Sequence, residues 1–412
     1  MIPDPWVRIA RRSVAVPRRL LRSPTIQLSV LYAATGVAFT LANLILARVL
    51  SIAEYAAVTL VLALVGFGGL LGPLGQERVV VRQSLAVTTG LLAWGAAASA
   101  TVGLGIAIVS GWIYGVDGTT SVLLFLGSTA YGMAILAAAK FQSEQRFILA
   151  TVISQGWNPV LLVATLLLAG TGFATASLVT TVFVAALGAI AAASWCCLLA
   201  EAAPAPGYRL DWSETLALTG LSGMAAFSAT SERLIIPLAL SESALADFAV
   251  LAALIIAPMR MLQMSAQRTL TPRLRDAASA SVRRRLLCQE GSLVAGLVLA
   301  LSLALWYLAP YAVSMLFGGK YNLTPPLILA ALVSGAVRVL NSFSMAAVTA
   351  LTSRERLHLV NCSGWLTILL AVPAARIGTV WGLAGLVFGI SVAWLCQAVV
   401  LFLHVLPHFR GD

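Results

Sequence analysis

Leu46-Ala-Arg-Val-Leu-Ser-Ile-Ala-Glu-Tyr-Ala-Ala-Val58 returns in altered form as Ala239-Leu-Ser-Glu-Ser-Ala-Leu-Ala-Asp-Phe-Ala-Val-Leu251. Each copy joins two long apolar stretches, and in each an acidic residue, an aromatic and alanine lead into the second stretch: Glu54-Tyr55-Ala56 and Asp247-Phe248-Ala249. Recurrence of this kind points to a duplicated architecture. Working outward from the two copies shows what is duplicated. Stretches long enough to cross a bilayer lie near 25–47, 55–76, 84–113, 119–139, 147–169 and 174–200. A second set lies near 213–240, 246–268, 286–317, 323–353, 357–375 and 378–405. Six spans is an even number, so the second half begins on the same side as the first, and the repeats are parallel.

Composition requires lipid as the solvent. The 412 residues are 60% hydrophobic and 10% charged, with a mean hydropathy of +0.95, whereas a soluble domain is about 45–50% apolar and about 25% charged. The net charge of +11 would suit nucleic acid, but its placement argues against that partner. Arg8, Arg11, Arg12, Arg18, Arg19, Arg22, Arg78, Arg82, Lys140, Arg146 and Arg209 fall on one side of the membrane. So do Arg268, Arg273, Arg275, Arg283, Arg284, Arg285, Arg354, Arg356 and Arg410, making 20 of the 26 cations. The opposite connectors hold Arg48, Lys320 and Arg376. By the positive-inside rule the N- and C-termini are cytoplasmic, in a cell inner (cytoplasmic) membrane. The expectation is an all-α polytopic membrane protein of about twelve transmembrane helices, in two parallel six-helix lobes around a central cavity. A basic N-terminal segment (1–24) precedes the N-terminal lobe (25–205) and the C-terminal lobe (206–412).

Three arginines lie inside spans: Arg233, Arg260 and Arg338. A cation at the bilayer centre costs roughly 2.5–3.5 kcal/mol even on insertion scales, so such residues face a cavity or a partner. Gln263 and Gln267 share a helical face with Arg260, and Asn341 shares one with Arg338. In the first span Thr25, Ser29, Tyr32, Gly36, Thr40 and Asn43 recur at helical spacing. Glu232 is the only carboxylate deep in a span; it could pair with Arg260 or Arg338, or hold a proton or sodium ion. The candidate cavity residues are therefore Arg233, Arg260, Arg338, Glu232, Asn43, Gln263, Gln267 and Asn341, with Arg48 from the first connector. Gly66 to Gly75, Pro237 and Pro258 are expected to interrupt helices, and Gly378, Gly382, Gly385 and Gly389 to pack one closely.

Enzyme signatures are missing. Neither Lys140 nor Lys320 begins a Lys-Ser/Thr pair, so there is no P-loop. His358, His404 and His408 form no zinc motif, and five cysteines within or near spans suggest neither disulfides nor a metal. The chain reads as a non-enzyme without a cofactor.

Ser231-Glu232-Arg233-Leu234-Ile235-Ile236, followed by Asp247-Phe248-Ala249, resembles the acidic-basic seventh span of polysaccharide and oligosaccharide-lipid flippases. Leu46-Ala47-Arg48-Val49-Leu50 with Glu54-Tyr55 is similar to the first outer loop of that family. Thr271-Pro272-Arg273-Leu274 and Leu316-Phe317-Gly318-Gly319-Lys320-Tyr321 are similar to its later landmarks. Glu232 stands where the family usually shows Asp. The resemblance, to one branch of the multidrug, oligosaccharidyl-lipid and polysaccharide exporter superfamily, implies alternating access. It also implies a polyprenyl-diphosphate-linked oligosaccharide as cargo, with glycosyltransferases or a polymerase of the same pathway as partners. An arginine-lined interior suits an anionic diphosphate. Two alternatives stand beside it: a drug or cation extrusion antiporter of the same superfamily, and a membrane-embedded glycosyltransferase or polymerase.

Overall fold

The computed structural model describes residues 24–409 apart from 84, 86, 203–211 and 354–355. The basic segment up to residue 23, the expected lobe boundary at 205/206 and Arg410 lie outside the described residues. The first half contains α1 (Pro24–Val49), α2 (Ile52–Leu71), a short α3 (Gln76–Gln83), α4 (Thr89–Tyr114) and α5 (Gly118–Ser143). It continues with α6 (Phe147–Gln155), α7 (Trp157–Thr171) and α8 (Ala176–Glu201). The second half contains α9 (Trp212–Ala239), α10 (Glu242–Leu251), α11 (Ala257–Asp276) and α12 (Ala280–Phe317). After these come α13 (Pro325–Leu351), α14 (Leu357–Leu369), α15 (Ala371–Gly378) and α16 (Gly382–Val405). No strand occurs among the described residues.

Local chemistry sets where these helices start. In lipid every backbone group must be satisfied within the protein, so spans are helical and their first amides need caps. Ser51, Thr88, Asp117, Thr175, Ser241 and Ser279 each accept a hydrogen bond from the backbone N–H three residues on. At Ser51 the cap is reciprocal, because Glu54 reaches back to the Ser51 backbone N–H. The bond from Thr120 holds the exposed Asp117 carboxyl below its ordinary range.

Nine helical stretches among the described residues are long and apolar enough to cross a bilayer, or ten with the bent pair α6–α7. Two features bring the crossings to twelve. The last apolar stretch, Leu357–Phe409, folds back on itself, so α14–α15 and α16 are separate crossings. α9 is long enough at 28 residues, but Glu214, Glu232 and Arg233 make it too polar to stand alone in lipid; it is enclosed by α2, α10, α14 and α16.

Several expected boundaries shift for physical reasons. The span expected at 147–169 bends by 40° at Gly156, where Pro159 supplies no N–H to the carbonyl four residues earlier. Pro237 does not interrupt α9, which runs through it to Ala239. Pro258 sits in the first turn of α11, just after a π-helical turn at Ala252–Ile256, and the chain stays helical throughout. α12 starts at Ala280, ahead of the expected 286, because Ser279 caps it there. At about 1.5 Å per residue its 38 residues span about 57 Å, well beyond the ~30 Å hydrocarbon core. An Arg273–Glu290 ion pair ties its overhang to the end of α11.

The four glycines expected on one face of the last span divide, because Gly378 ends α15 and Gly382 lies in open space at the start of α16, while Gly385 and Gly389 pack α16 closely on α15. A Cβ on Gly385 would overlap the Gly378 carbonyl oxygen, and one on Gly389 that of Ala374. Gly382 makes the turn with φ +67.

The two halves meet through equivalent elements: α2 packs on α9 and α10, and α1 on α11. The repeated stretch occupies the same place in each half, with Tyr55 and Phe248 both buried. α10 starts one turn further ahead of its aromatic than α2 does, and the acids diverge in role: Glu54 caps its own helix, whereas Asp247 accepts from the Asn322 backbone N–H at 3.2 Å. At the arginine-poor end, Lys320 of the second half donates to the Ala47 carbonyl at 2.8 Å and to that of Leu50 at 2.5 Å. The Tyr321 hydroxyl reaches the Ala47 carbonyl at 2.6 Å, so a cation and a phenol cap the C-terminus of α1. Burial lowers the Lys320 pKa. At the arginine-rich end, Ser222 of α9 bridges Arg78 and Glu77 of α3, and Gln83 donates to Glu214 at 2.9 Å.

Gly385→Ala should lower the thermal unfolding temperature of the purified protein, with an overpacking cost of about 1–3 kcal/mol. Gly170→Ala, where nothing lies within 4 Å of the added carbon, should leave it unchanged or raise it. Lys320→Met should speed backbone hydrogen exchange at residues 47–55, since a charged donor to these carbonyls is worth about 1.5–3 kcal/mol; wild-type exchange there would show that the contact holds nothing.

Candidate functional site

Adjacent residues on a helix point in different directions, and α9 uses this at Glu232 and Arg233. The Glu232 side chain is buried toward α13, where it forms an ion pair with Arg338. Ser334 of α13 donates to one carboxylate oxygen at 3.2 Å, and Ser231 to the other at 3.0 Å. Three donors therefore converge on one carboxylate. Of the two partners considered for Glu232, the structure selects Arg338. Burying a charge is tolerable only when it is paired and hydrogen-bonded in this way, and removing one partner of such a pair typically costs about 3–5 kcal/mol.

Arg233 faces the other way, toward the first half, and makes no ion pair among the described residues. It lies within electrostatic reach of Tyr55 on α2, of Arg260 and Arg338, and of the Glu232 carboxylate. Arg260 follows the π-helical turn by four residues, and π-turns commonly mark re-aimed functional side chains. Its side chain is exposed, yet it lies within electrostatic reach of Arg338 and of Tyr131 on α5. With Arg338 of the second half and Tyr131 of the first both within reach, Arg260 lies at the seam where the halves meet. α9, α11 and α13 thus bring the three intramembrane arginines together, with one carboxylate among them. Three cations thus stand with one carboxylate, and among the described residues Arg338 alone of the three forms an ion pair with it.

The remaining candidates divide. Gln263 is partly exposed, one turn beyond Arg260, while the side chain of Gln267 lies outside the described residues. Asn341 is not on the seam: it donates to Gln397 of α16 at 2.9 Å, inside the second half. Asn43 is buried and spends its amide on the Phe39 carbonyl of its own helix, at 2.8 Å. Arg48 is exposed at the end of α1, about three turns of helix from the Tyr32–Gly36 face. Helical spacing puts Asn341 and Asn43 near the right face, but a short amide is captured by whatever acceptor is within reach. Tyr55 and Tyr131 go unnoticed in the reading of polar stripes; the acidic-aromatic-alanine repeat marks Tyr55, and nothing in the sequence marks Tyr131. Among the described residues no group of three or more His, Cys, Asp or Glu gathers into a metal site.

Solved structures share this architecture. The chain is similar to an inward-facing multidrug resistance MATE family transporter of the MOP superfamily, at 15% identity and a TM-score of 0.64, covering 92% of this chain and 98% of that one. It is similar to the lipid II flippase MurJ in an inward closed conformation, at 12% identity and a TM-score of 0.65, over 93% of this chain and 89% of that one. The MATE multidrug transporter DinF-BH, solved in complex with a ligand, aligns at 15% identity with a TM-score of 0.60, over 95% and 96% of the two chains. These likenesses show a shared fold. A search of curated proteins found no match. Residues 45–326 match the family model described as polysaccharide biosynthesis protein, and the chain belongs to that family.

Proposed function

We propose that this protein is a flippase that moves a polyprenyl-diphosphate-linked oligosaccharide from the cytoplasmic to the outer leaflet by alternating access, for cell-surface polysaccharide synthesis. The observation that carries this reading is the seam itself, where three arginines from α9, α11 and α13 stand against one carboxylate. A diphosphate leaving water loses its hydration and needs charge-assisted donors, which guanidinium groups supply bidentately. Arg233 and Arg260, which have no carboxylate partner, attract the anion directly, while Arg338 and Glu232 hold α13 against α9. Transport, not chemistry, is the role assigned to these groups. The arginine-rich end is cytoplasmic, with both termini on that side, in the inner (cytoplasmic) membrane. Glycosyltransferases or a polymerase of the same pathway supply and consume the cargo. If transport is coupled to a proton or sodium ion, Glu232 is the carboxylate placed to respond.

The likeness to the multidrug transporter DinF-BH supports a second reading, extrusion of drugs. Cationic drugs are poorly matched to a seam of positive charge, and the cell discriminates between the two. Deleting the gene in its host should cause lipid-linked oligosaccharide to accumulate and should remove surface glycan. Drug sensitivity without that accumulation would favour extrusion, and unextended lipid precursors would favour a glycosyltransferase.

Arg233→Ala and Arg260→Ala should each leave membrane insertion intact and abolish surface glycan when expressed in the deletion strain; normal surface glycan in both would refute the cargo route. For the ion pair, Arg338→Ala should destabilise the purified protein by about 3–5 kcal/mol. The double variant Arg338→Met with Glu232→Met should recover most of that loss in a thermal unfolding assay, because two packed apolar side chains replace a buried pair at little cost.

A further inference from the structure

We propose that Glu77 is a proton-binding site whose contact across the two halves sets whether the arginine-rich end is closed or open. Glu77 lies on α3, whose eight residues are too few to cross a bilayer. α3 packs between α5 of its own half and α9 of the other. The approach to α9 is at backbone distance. A Cβ on Gly75, which has φ +77, would lie 2.6 Å from the Thr219 amide nitrogen and 2.8 Å from the Thr215 carbonyl oxygen. The Thr219 hydroxyl donates to the Leu74 carbonyl at 2.6 Å. Moving the halves apart at this end breaks these contacts together and admits water to Glu77.

The closed contact supplies this carboxylate with few donors. The Glu77 side chain is 12% exposed, and one of its oxygens accepts from Ser222 of α9 at 2.5 Å. Arg78 donates its Nε–H to the same Ser222 at 2.7 Å and stands 3.7 Å from the carboxylate, beyond hydrogen-bond reach. The second carboxylate oxygen is buried, with the Gly75 and Glu77 backbone amides beside it, and completes no hydrogen bond among the described residues. Glu232, by contrast, takes a guanidinium and two hydroxyls. The other charged groups around α3 have partners of their own. Arg82 pairs with Glu214 of α9 at 3.4 Å, Gln83 donates to Glu214 at 2.9 Å, and Lys140 of α5 pairs with Glu144 at 3.0 Å. Tyr131 of α5 lies deeper, near Arg260. Arg78 is the charge that acts on Glu77, and burial outweighs both it and Ser222, holding the carboxyl above the usual carboxylate range. Opening returns the group to water and to an ordinary value of about 4.3. A proton therefore binds the closed form more tightly and, by linkage, favours closure. That contribution is complete below the ordinary carboxylate range and is lost as the pH rises through the raised value. Closing takes up one proton at Glu77, and opening releases it to water.

The test uses the full-length chain in nanodiscs, with its five cysteines replaced by serine and spin labels on Gln142→Cys and Ala278→Cys. Both positions are exposed at the arginine-rich end, one in each half. With Glu77 intact, the ratio of long to short label distances should rise with pH, by at most about tenfold per pH unit for one proton. The midpoint should lie above about pH 4.3. Glu77→Gln, which keeps the shape of the protonated carboxyl and cannot ionise, should hold the short distance across the same range. A protonated-carboxyl band in the infrared spectrum, missing from Glu77→Gln, should titrate with the same midpoint. Label distances that ignore pH, or that follow it equally in Glu77→Gln, overturn the proposal. If Glu77→Gln does not fold, Glu77→Asp decides: its shorter reach alters the Ser222 contact and should move the midpoint, and an unmoved midpoint overturns the proposal. The cargo reading rests on Arg233 and Arg260 and stands or falls separately.

Discussion

A carboxylate cannot stay ionised among packed helices in lipid unless donors surround it, and the Glu232–Arg338 pair is where this chain meets that constraint. Arg338, Ser334 and Ser231 converge on Glu232, which pins α13 to α9. The consequences extend outward. α9 is too polar to face lipid, so it lies enclosed, against α2 on one side and against α14 and α16 on the other. Enclosure turns its next residue, Arg233, toward the first half. Because the pair neutralises Arg338 alone, the excess positive charge of the seam resides on Arg233 and Arg260. Charge, packing and topology are here a single arrangement.

The helix irregularities gather along the same seam. The turn after α2, where Gly75 packs on Thr215 and Thr219 of α9, and the π-helical turn before Arg260 each interrupt the regular hydrogen-bond ladder, which lipid forbids and protein contact permits. Around them the first half contributes aromatic and small polar side chains, and the second half contributes cations. The repeat that relates the halves has therefore diverged in chemistry while keeping its geometry. Glu54 and Asp247 stand at matching places, one bonded within its own cap and the other holding the connector that carries Lys320.

Much of this was legible because it depends on sums over many residues. A span is an average over about twenty positions, so twelve crossings could be read even though individual ends moved, as at α12. The arginines were legible for a different reason: a cation in a span is costly enough that its presence demands a use. Asn43 and Asn341 show how a short amide takes the nearest acceptor, the Phe39 carbonyl of its own helix for Asn43 and Gln397 of α16 for Asn341. The bend at Gly156 was hidden inside an apolar stretch whose average hydropathy does not register one proline at residue 159.

The amino-acid sequence by itself determined that this is a many-crossing membrane protein with a duplicated plan, one basic face and three arginines in its interior. Those properties follow from transfer free energies, which each segment carries with it wherever it is placed. Only the tertiary structure decided which arginine Glu232 neutralises, that α9 is enclosed, and that Tyr131 of the first half lies within electrostatic reach of Arg260. These are contacts between residues far apart in the chain, and their energies exist only once the helices that bear them have packed.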